Sequence, residues 1–268
     1  MLRLRILTAS ILGCVLLTGL FLLEPRWTIL AFAVVWLMGA WEWAGFGGVS
    51  SVLVRCLYCC AIALLLALSW RWTEDRAHLV VLLAAACAWW AAAFLWLMVA
   101  PEWHRPRLAL LCGIPVLVPS FVALGRLVLV EPGGAPVFVL WLVLLVIASD
   151  IGAFFVGRRF GRRKLAPRVS PGKTWEGAVG GLCTVALVAL AGARFFGFPM
   201  ALSIGFGCAV GIFSVVGDLT ESMFKRSAGL KDSGVMLPGH GGILDRIDSV
   251  TAAAPLYALG LFGSGVIA

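Results

Sequence analysis

The feature that most constrains this chain is its supply of long apolar runs. Nine stretches carry few or no charges, at 4–23, 27–46, 50–70, 79–99, 107–125, 136–156, 176–196, 199–219 and 249–267. About 20 helical residues cross a hydrocarbon core about 30 Å thick. Hydrocarbon offers no partner to a bare amide or carbonyl, so segments of this composition cross as helices. Composition agrees, with 62% hydrophobic and 13% charged residues and a mean hydropathy of +1.04. A water-soluble domain is closer to about half apolar and about a quarter charged. The expected fold is an all-α polytopic membrane protein with about nine transmembrane helices. Polar and turn-forming punctuation separates the runs at Glu24-Pro25-Arg26, Arg71 to His78, Pro101 to Arg107 and Glu131-Pro132-Gly133-Gly134. The opening, Met1 to Leu23, has the basic start and apolar run of a signal peptide. No small-x-small cleavage site follows, so it reads as a retained first helix.

The charges orient the helices. With the N-terminus in the cytoplasm, the 157–175 connection holds Arg158, Arg159, Arg162, Arg163, Lys164, Arg168 and Lys173, and the 220–248 connection holds Lys225, Arg226, Lys231 and Arg246. The other side has Arg26, Arg71, Arg76 and Arg194 beside Glu24, Glu74, Asp75 and Glu131. This bias obeys the positive-inside rule and predicts a cytoplasmic N-terminus. The net charge of +8 therefore belongs to basic loops on a membrane. It does not point to nucleic acid, since no basic soluble domain with interleaved aromatics is present. The eight cysteines all lie in apolar stretches. Cys56, Cys59 and Cys60 have ligand-like spacing without a second Cys/His pair, so they read as small buried hydrophobes.

The two parts of the chain differ in kind. Residues 1–135 form an N-terminal set of transmembrane helices, rich in Trp, Leu and Ala. Residues 136–268 form a catalytic transmembrane region with cytoplasmic loops at 157–175 and 220–248. Seven of the thirteen acids fall between 150 and 248: Asp150, Glu176, Asp218, Glu221, Asp232, Asp245 and Asp248. No internal repeat links the halves, which weighs against a transporter built on inverted repeats.

Three constellations carry chemistry. In the first, seven cations stand in the sixteen residues from Arg158 to Lys173, enough to hold anionic headgroups at about 1 kcal/mol each. It ends in Ser170-Pro171-Gly172-Lys173-Thr174-Trp175-Glu176-Gly177. Here Ser170, Lys173 and Thr174 precede a helix whose free N–H groups favour a phosphate, although the glycine spacing is not that of a Walker loop. Ser170 as a plain helix cap is the competing reading. The second constellation is Asp150 and Asp218, acids at the ends of apolar spans, where a carboxylate faces protein or water. Glu42, between Trp41 and Trp43, reads as a buried structural acid.

The third runs from Ser222 to Asp248. Asp245 and Asp248 are three apart and share one helical face. With Asp218 they suit a hard cation. His240-Gly241-Gly242 lets backbone amides approach a phosphate closely. Lys225, Arg226, Lys231 and Arg246 supply positive charge for a triphosphate.

These residues resemble the signature of the phosphatidate cytidylyltransferase, or CDP-diacylglycerol synthase, family. That signature appears as Ser222, Lys225-Arg226, Lys231-Asp232, Gly234, Leu237-Pro238, His240-Gly241-Gly242 and Asp245-Arg246-Ile247-Asp248. The segment 170–177 also resembles a family element. So does Asp150 to Gly157, with Phe154 where tyrosine is common. The resemblance implies nucleotidyl transfer from CTP to phosphatidic acid in phospholipid biosynthesis, at a bacterial inner membrane and on its cytoplasmic side. It implies catalytic roles for Asp218, Lys225, Arg226, Asp245 and Asp248. Ser170, Lys173, Thr174, Glu176, Ser222, Lys231, Asp232, His240, Gly241, Gly242 and Arg246 would bind substrate. Mg²⁺ would sit on Asp218, Asp245 and Asp248, with room for a second cation such as K⁺, and the family expectation is a homodimer. The alternatives are a CTP-dependent polyprenol kinase and an ion-conducting transporter.

Overall fold

A computed structural model describes residues 2–101, 105–130, 135–237, 239 and 241–263. Among these residues there are nine helices and one short hairpin. The helices are α1 (Leu2–Phe21), α2 (Pro25–Phe46), α3 (Val52–Trp72), α4 (Arg76–Val99), α5 (Pro106–Val128), α6 (Ala135–Phe160), α7 (Trp175–Phe196), α8 (Met200–Ser227) and α9 (Leu244–Gly263). The hairpin pairs β1 (Lys164–Ala166) antiparallel with β2 (Ser170–Thr174). Seven helices, α2 to α8, are long and apolar enough to cross a membrane. The chain is an all-α polytopic membrane protein. The expected nine runs all appear as helices, but α1 contributes only a shorter apolar piece, Ser10–Phe21. α9 opens on Asp245, Arg246 and Asp248 and is not among the seven.

Several boundaries move, and they move toward the polar residues. α6 continues to Phe160, α8 to Ser227, and α9 begins at Leu244. The connection expected over 220–248 shrinks to residues 228–243. Reading a span by its apolar run stops it near the next charges, Arg158 after 156, Glu221 after 219 and Asp248 before 249. In the folded chain Glu221 and Asp245 both pair with Lys225, and the backbone stays helical through them. α8 ends only where Gly229 takes φ +72°. There the Leu230 amide donates to the Lys225 carbonyl (2.8 Å) and the Gly229 amide to that of Arg226 (3.0 Å), the paired bonds of a Schellman stop. Gly197 (φ +71°) ends α7 in the same left-handed way.

α5 is the most buried of the seven spans and carries Pro115 and Pro119 in its interior. Each removes an intrahelical amide bond. Its neighbours brace it: Trp36 Nε1 donates to Ser120 Oγ (2.8 Å), and Trp43 Nε1 to the Ala109 carbonyl (2.7 Å). α9 packs against α8, α4 and α5 and buries Ala252, Ala253, Ala254, Tyr257 and Leu261.

Small residues let α6 to α9 approach closely, as helices without a hydrophobic drive between them require. At the α6–α7 seam, a Cβ on Gly181 would stand 2.7 Å from the Ser149 carbonyl oxygen. A Cβ on Gly177 would stand 2.9 Å from that of Ala153. At the α8–α9 crossing, a Cβ on Gly217 would lie 2.6 Å from the Asp248 carbonyl oxygen. We predict that Gly181→Leu costs at least about 2 kcal/mol, because overpacking here meets backbone. It should lower the Tm of the detergent-solubilised protein, whereas Val179→Leu, on the exposed face of α7, leaves Tm unchanged.

Candidate active site

The site is assembled from three pieces, each shaped by local sequence. The first is the hairpin leading into α7. Thr174 is the N-cap of α7, and its hydroxyl oxygen accepts from the Gly177 amide (3.1 Å). The cap is thus Thr174, not Ser170, which lies on β2 with Lys173. Glu176, in the first turn, accepts from the Arg162 (3.0 Å) and Arg163 (3.2 Å) amides. These bonds pin the hairpin to α7. Arg226 reaches across from α8 and donates to the Val169 carbonyl (3.4 Å) and to that of Leu230 (3.2 Å). This guanidinium thereby secures the hairpin turn.

The second piece is the last part of α8. Asp218, Glu221, Ser222 and Lys225 lie along successive turns. Ser222 Oγ donates to Asp218 Oδ1 (3.3 Å), and Lys173 Nζ sits 2.5 Å from Asp218 Oδ2. The predicted phosphate loop and the predicted metal ligand therefore meet directly. Lys225 is 7% exposed. Its ammonium pairs with Asp245 Oδ1 (2.5 Å) and Glu221 Oε1 (3.2 Å). The residue thus balances two interior carboxylates.

The third piece is the 228–243 connection with the start of α9. Asp245 Oδ2 accepts from the Ser233 amide (2.9 Å) and the Gly242 amide (2.9 Å) and lies 3.0 Å from the Ser233 hydroxyl oxygen. The Gly242 N–H, expected to face a phosphate, is thus directed at Asp245. Gly241 takes φ +81°, a conformation open to glycine, and forms an isolated antiparallel bridge with Leu237. Lys231 and Asp232 are exposed in the bends that follow Gly229, and Arg246 is exposed at the head of α9. His240 and Pro238 lie outside the described residues.

A cavity of about 700 Å³ opens beside these pieces. Its lining mixes Asp150, Arg158, Ser170, Lys173, Thr174 and Asp218 with the apolar Ala153, Phe154, Leu165 and Val215. Asp150 interacts electrostatically with Asp218, Lys173 and Arg246. Asp248 interacts with Asp218, Glu221 and Lys225. Asp150, Asp218, Glu221, Asp245 and Asp248 thus stand among Lys173, Lys225 and Arg246. Their all-oxygen donors are the kind a hard divalent cation takes. Among the described residues no three of the acids converge as a preformed ligand set.

Reading the residues one by one missed two partners. Glu42 on α2 accepts from Ser233 Oγ (2.8 Å), the Ile243 amide (3.1 Å) and the Leu244 amide (2.9 Å). It was expected to be buried and structural, and it is buried at 3% exposure, but it belongs to the framework of this site. Its signal was an acid inside an apolar run. Ser233, a small residue in a polar loop, gave no signal.

A bundle of apolar helices with a cavity lined by Asp150, Asp218, Lys173 and Arg158 among apolar side chains defines a polytopic membrane protein with a charged site. The model of the cytidylyltransferase family matches residues 3–262, and the chain belongs to that family. It is 40% identical to the phosphatidate cytidylyltransferase of Haemophilus influenzae, over 96% of this chain and 98% of that protein. It is 42% identical to the phosphatidate cytidylyltransferase of Pseudomonas aeruginosa, over 99% and 98%. The phosphatidate cytidylyltransferase of Brucella suis is 36% identical over 98% and 93%.

Removing the cap separates its two tasks. Thr174→Ala should cost about 1 kcal/mol of stability, measured by thermal unfolding, through loss of the N-cap bond. Thr174→Ser, which keeps the accepting oxygen, should restore most of it.

Proposed function

We propose that this protein transfers the cytidylyl group of CTP to phosphatidic acid, giving CDP-diacylglycerol and pyrophosphate. The observation that carries the reading is the mixed lining of the cavity. Lys173, Ser170, Thr174 and Arg158 offer partners to a phosphate, and Phe154, Leu165 and Val215 among them offer apolar surface to a lipid. The whole-length relatives named phosphatidate cytidylyltransferase support the same choice.

A phosphate oxygen of phosphatidic acid attacks the α-phosphorus of CTP. The new P–O bond forms as the bond from the α-phosphorus to the bridging oxygen breaks, and pyrophosphate leaves with that oxygen. A phosphate monoester has a second pKa of about 6, so the nucleophile is already largely ionised and needs no strong base. The barrier is the approach of two anions, and positioned positive charge lowers it. Lys173 and Arg158 draw phosphate into the cavity. Thr174 keeps its hydroxyl proton free to donate, because only its oxygen serves the cap. Arg246 and Lys231 face solvent at the edge of the site and meet the triphosphate. Lys225 holds Asp245 and Glu221 in place from behind. Phe154 stands 58% exposed on the cavity wall and offers an apolar surface where a tyrosine would offer a hydroxyl.

Asp218, Asp245 and Asp248 would hold Mg²⁺, with room for a second cation such as K⁺. When bound, the metal neutralises the phosphates and orients them for in-line attack. We further place the cavity on the cytoplasmic side of a bacterial inner membrane, with the N-terminus on that same side, from the positive-inside bias. The family resemblance adds a homodimer.

The decisive assay gives the detergent-solubilised protein radiolabelled CTP, phosphatidic acid and Mg²⁺. The expected products are CDP-diacylglycerol and pyrophosphate, and a chelator abolishes turnover. Release of CDP in place of pyrophosphate would mean a lipid kinase, and absence of CTP consumption would sink the reading. Asp248→Asn should cut kcat by at least about 100-fold with the protein still folded. A single cysteine at Arg163 should label from the cytoplasmic face of sealed vesicles.

A further inference from the structure

We propose that Glu42 is a positioning residue for this transfer. From a helix outside the catalytic region, its carboxylate fixes the first turn of α9 and, through Ser233, the aim of Asp245. The inference rests on the reaction proposed above.

A carboxylate inside a spanning helix is costly to keep unless it is matched. Glu42 is matched by three donors, none of them a cation: Ile243 N–H on Oε1, and Leu244 N–H with Ser233 O–H on Oε2. The two amides stand at the start of α9, where N–H groups lack intrahelical partners and the helix dipole favours negative charge. Glu42 thus caps α9 from another helix, replacing the local side chain that usually serves.

The link to Asp245 runs through one hydroxyl. Ser233 Oγ lies 2.8 Å from Glu42 Oε2 and 3.0 Å from Asp245 Oδ2, and it has one proton to donate. A proton given to Glu42 turns the Ser233 oxygen toward the Asp245 amide, 3.4 Å away. Asp245 Oδ2 is then left to the Ser233 and Gly242 amides, which set its direction. The loop is wrapped around this carboxylate. A Cβ on Gly234 would stand 2.7 Å from Glu42 Cδ, and one on Gly242 would stand 2.7 Å from Glu42 Oε1. These two glycines of the motif thus accommodate Glu42, in addition to any phosphate they approach.

Glu42 does not line the cavity, so it acts through Asp245 and α9. Its chemistry is specific. Both oxygens accept, so the isosteric amide of glutamine must turn its NH₂ toward one of the donors. A merely space-filling acid would tolerate that change.

The test uses the full-length protein in detergent, with the CTP assay above and Glu74→Gln, an exposed residue paired with Arg71, as an unaffected control. Glu42→Gln should lower kcat about tenfold or more, as loss of an outer partner of a ligand does. KM for phosphatidic acid should stay within about threefold, since the cavity wall is untouched. Ser233→Ala should lower kcat by a smaller factor, and the double variant should be no slower than Glu42→Gln alone, because both act through one link. A folded Glu42→Gln protein with kcat within about twofold of wild type overturns the proposal. So does a double variant whose loss is the product of the two single losses. If Glu42→Gln does not fold, Ser233→Ala decides: a lowered kcat at unchanged Tm supports the link, and wild-type kcat overturns it. A wild-type protein that consumes no CTP overturns the transfer reaction and this inference together. An active wild type with an unaffected Glu42→Gln overturns this inference alone.

Discussion

Asp245 is the point on which the site depends. A carboxylate inside an apolar bundle survives as an anion only where donors and opposite charge are fixed around it. Asp245 takes an ammonium from α8 and two amides from the 228–243 connection, and belongs itself to α9. One side chain therefore joins three consecutive segments. Lys225 extends the junction to Glu221, and Ser233 extends it to Glu42 on α2. Breaking such a network leaves uncompensated charge in low dielectric, far costlier than losing one surface pair.

Close helix approach makes that junction geometrically available. Gly217 brings the α9 backbone against α8 beside Asp218, so Asp248 and Asp218 come near enough to feel each other's charge. The glycine seam between α6 and α7 does the same for Asp150 and the Thr174 cap, and Gly157 on α6 packs against Thr174 itself. The N-terminal helices add the frame. α5, buried and braced by Trp36 and Trp43, supports both α2 and α9.

The resulting cavity mixes charged and apolar side chains, with Lys173 paired to Asp218 in its lining. Outside that lining, Lys225 stands against Asp245 and Glu221, so carboxylates and ammoniums are matched both at the cavity and behind it.

Hydropathy determined the helical class, the order of the helices and most of their limits, because hydrocarbon leaves the backbone no alternative to internal hydrogen bonds. The polar spacing also singled out 170–177 and 222–248, and the fold brings the first against Asp218 on α8. It misplaced the ends of α6, α8 and α9, since a polar residue signals a membrane boundary only if it has no partner inside. The tertiary structure alone decided which polar residues meet. It turned Glu176 and Arg226 into braces for the hairpin and buried Lys225 between two acids. It also brought Glu42, nearly two hundred residues away in sequence from Ser233, to the head of α9. Such pairings are set by helix packing across the bundle, a long-range property that no local pattern of residues encodes.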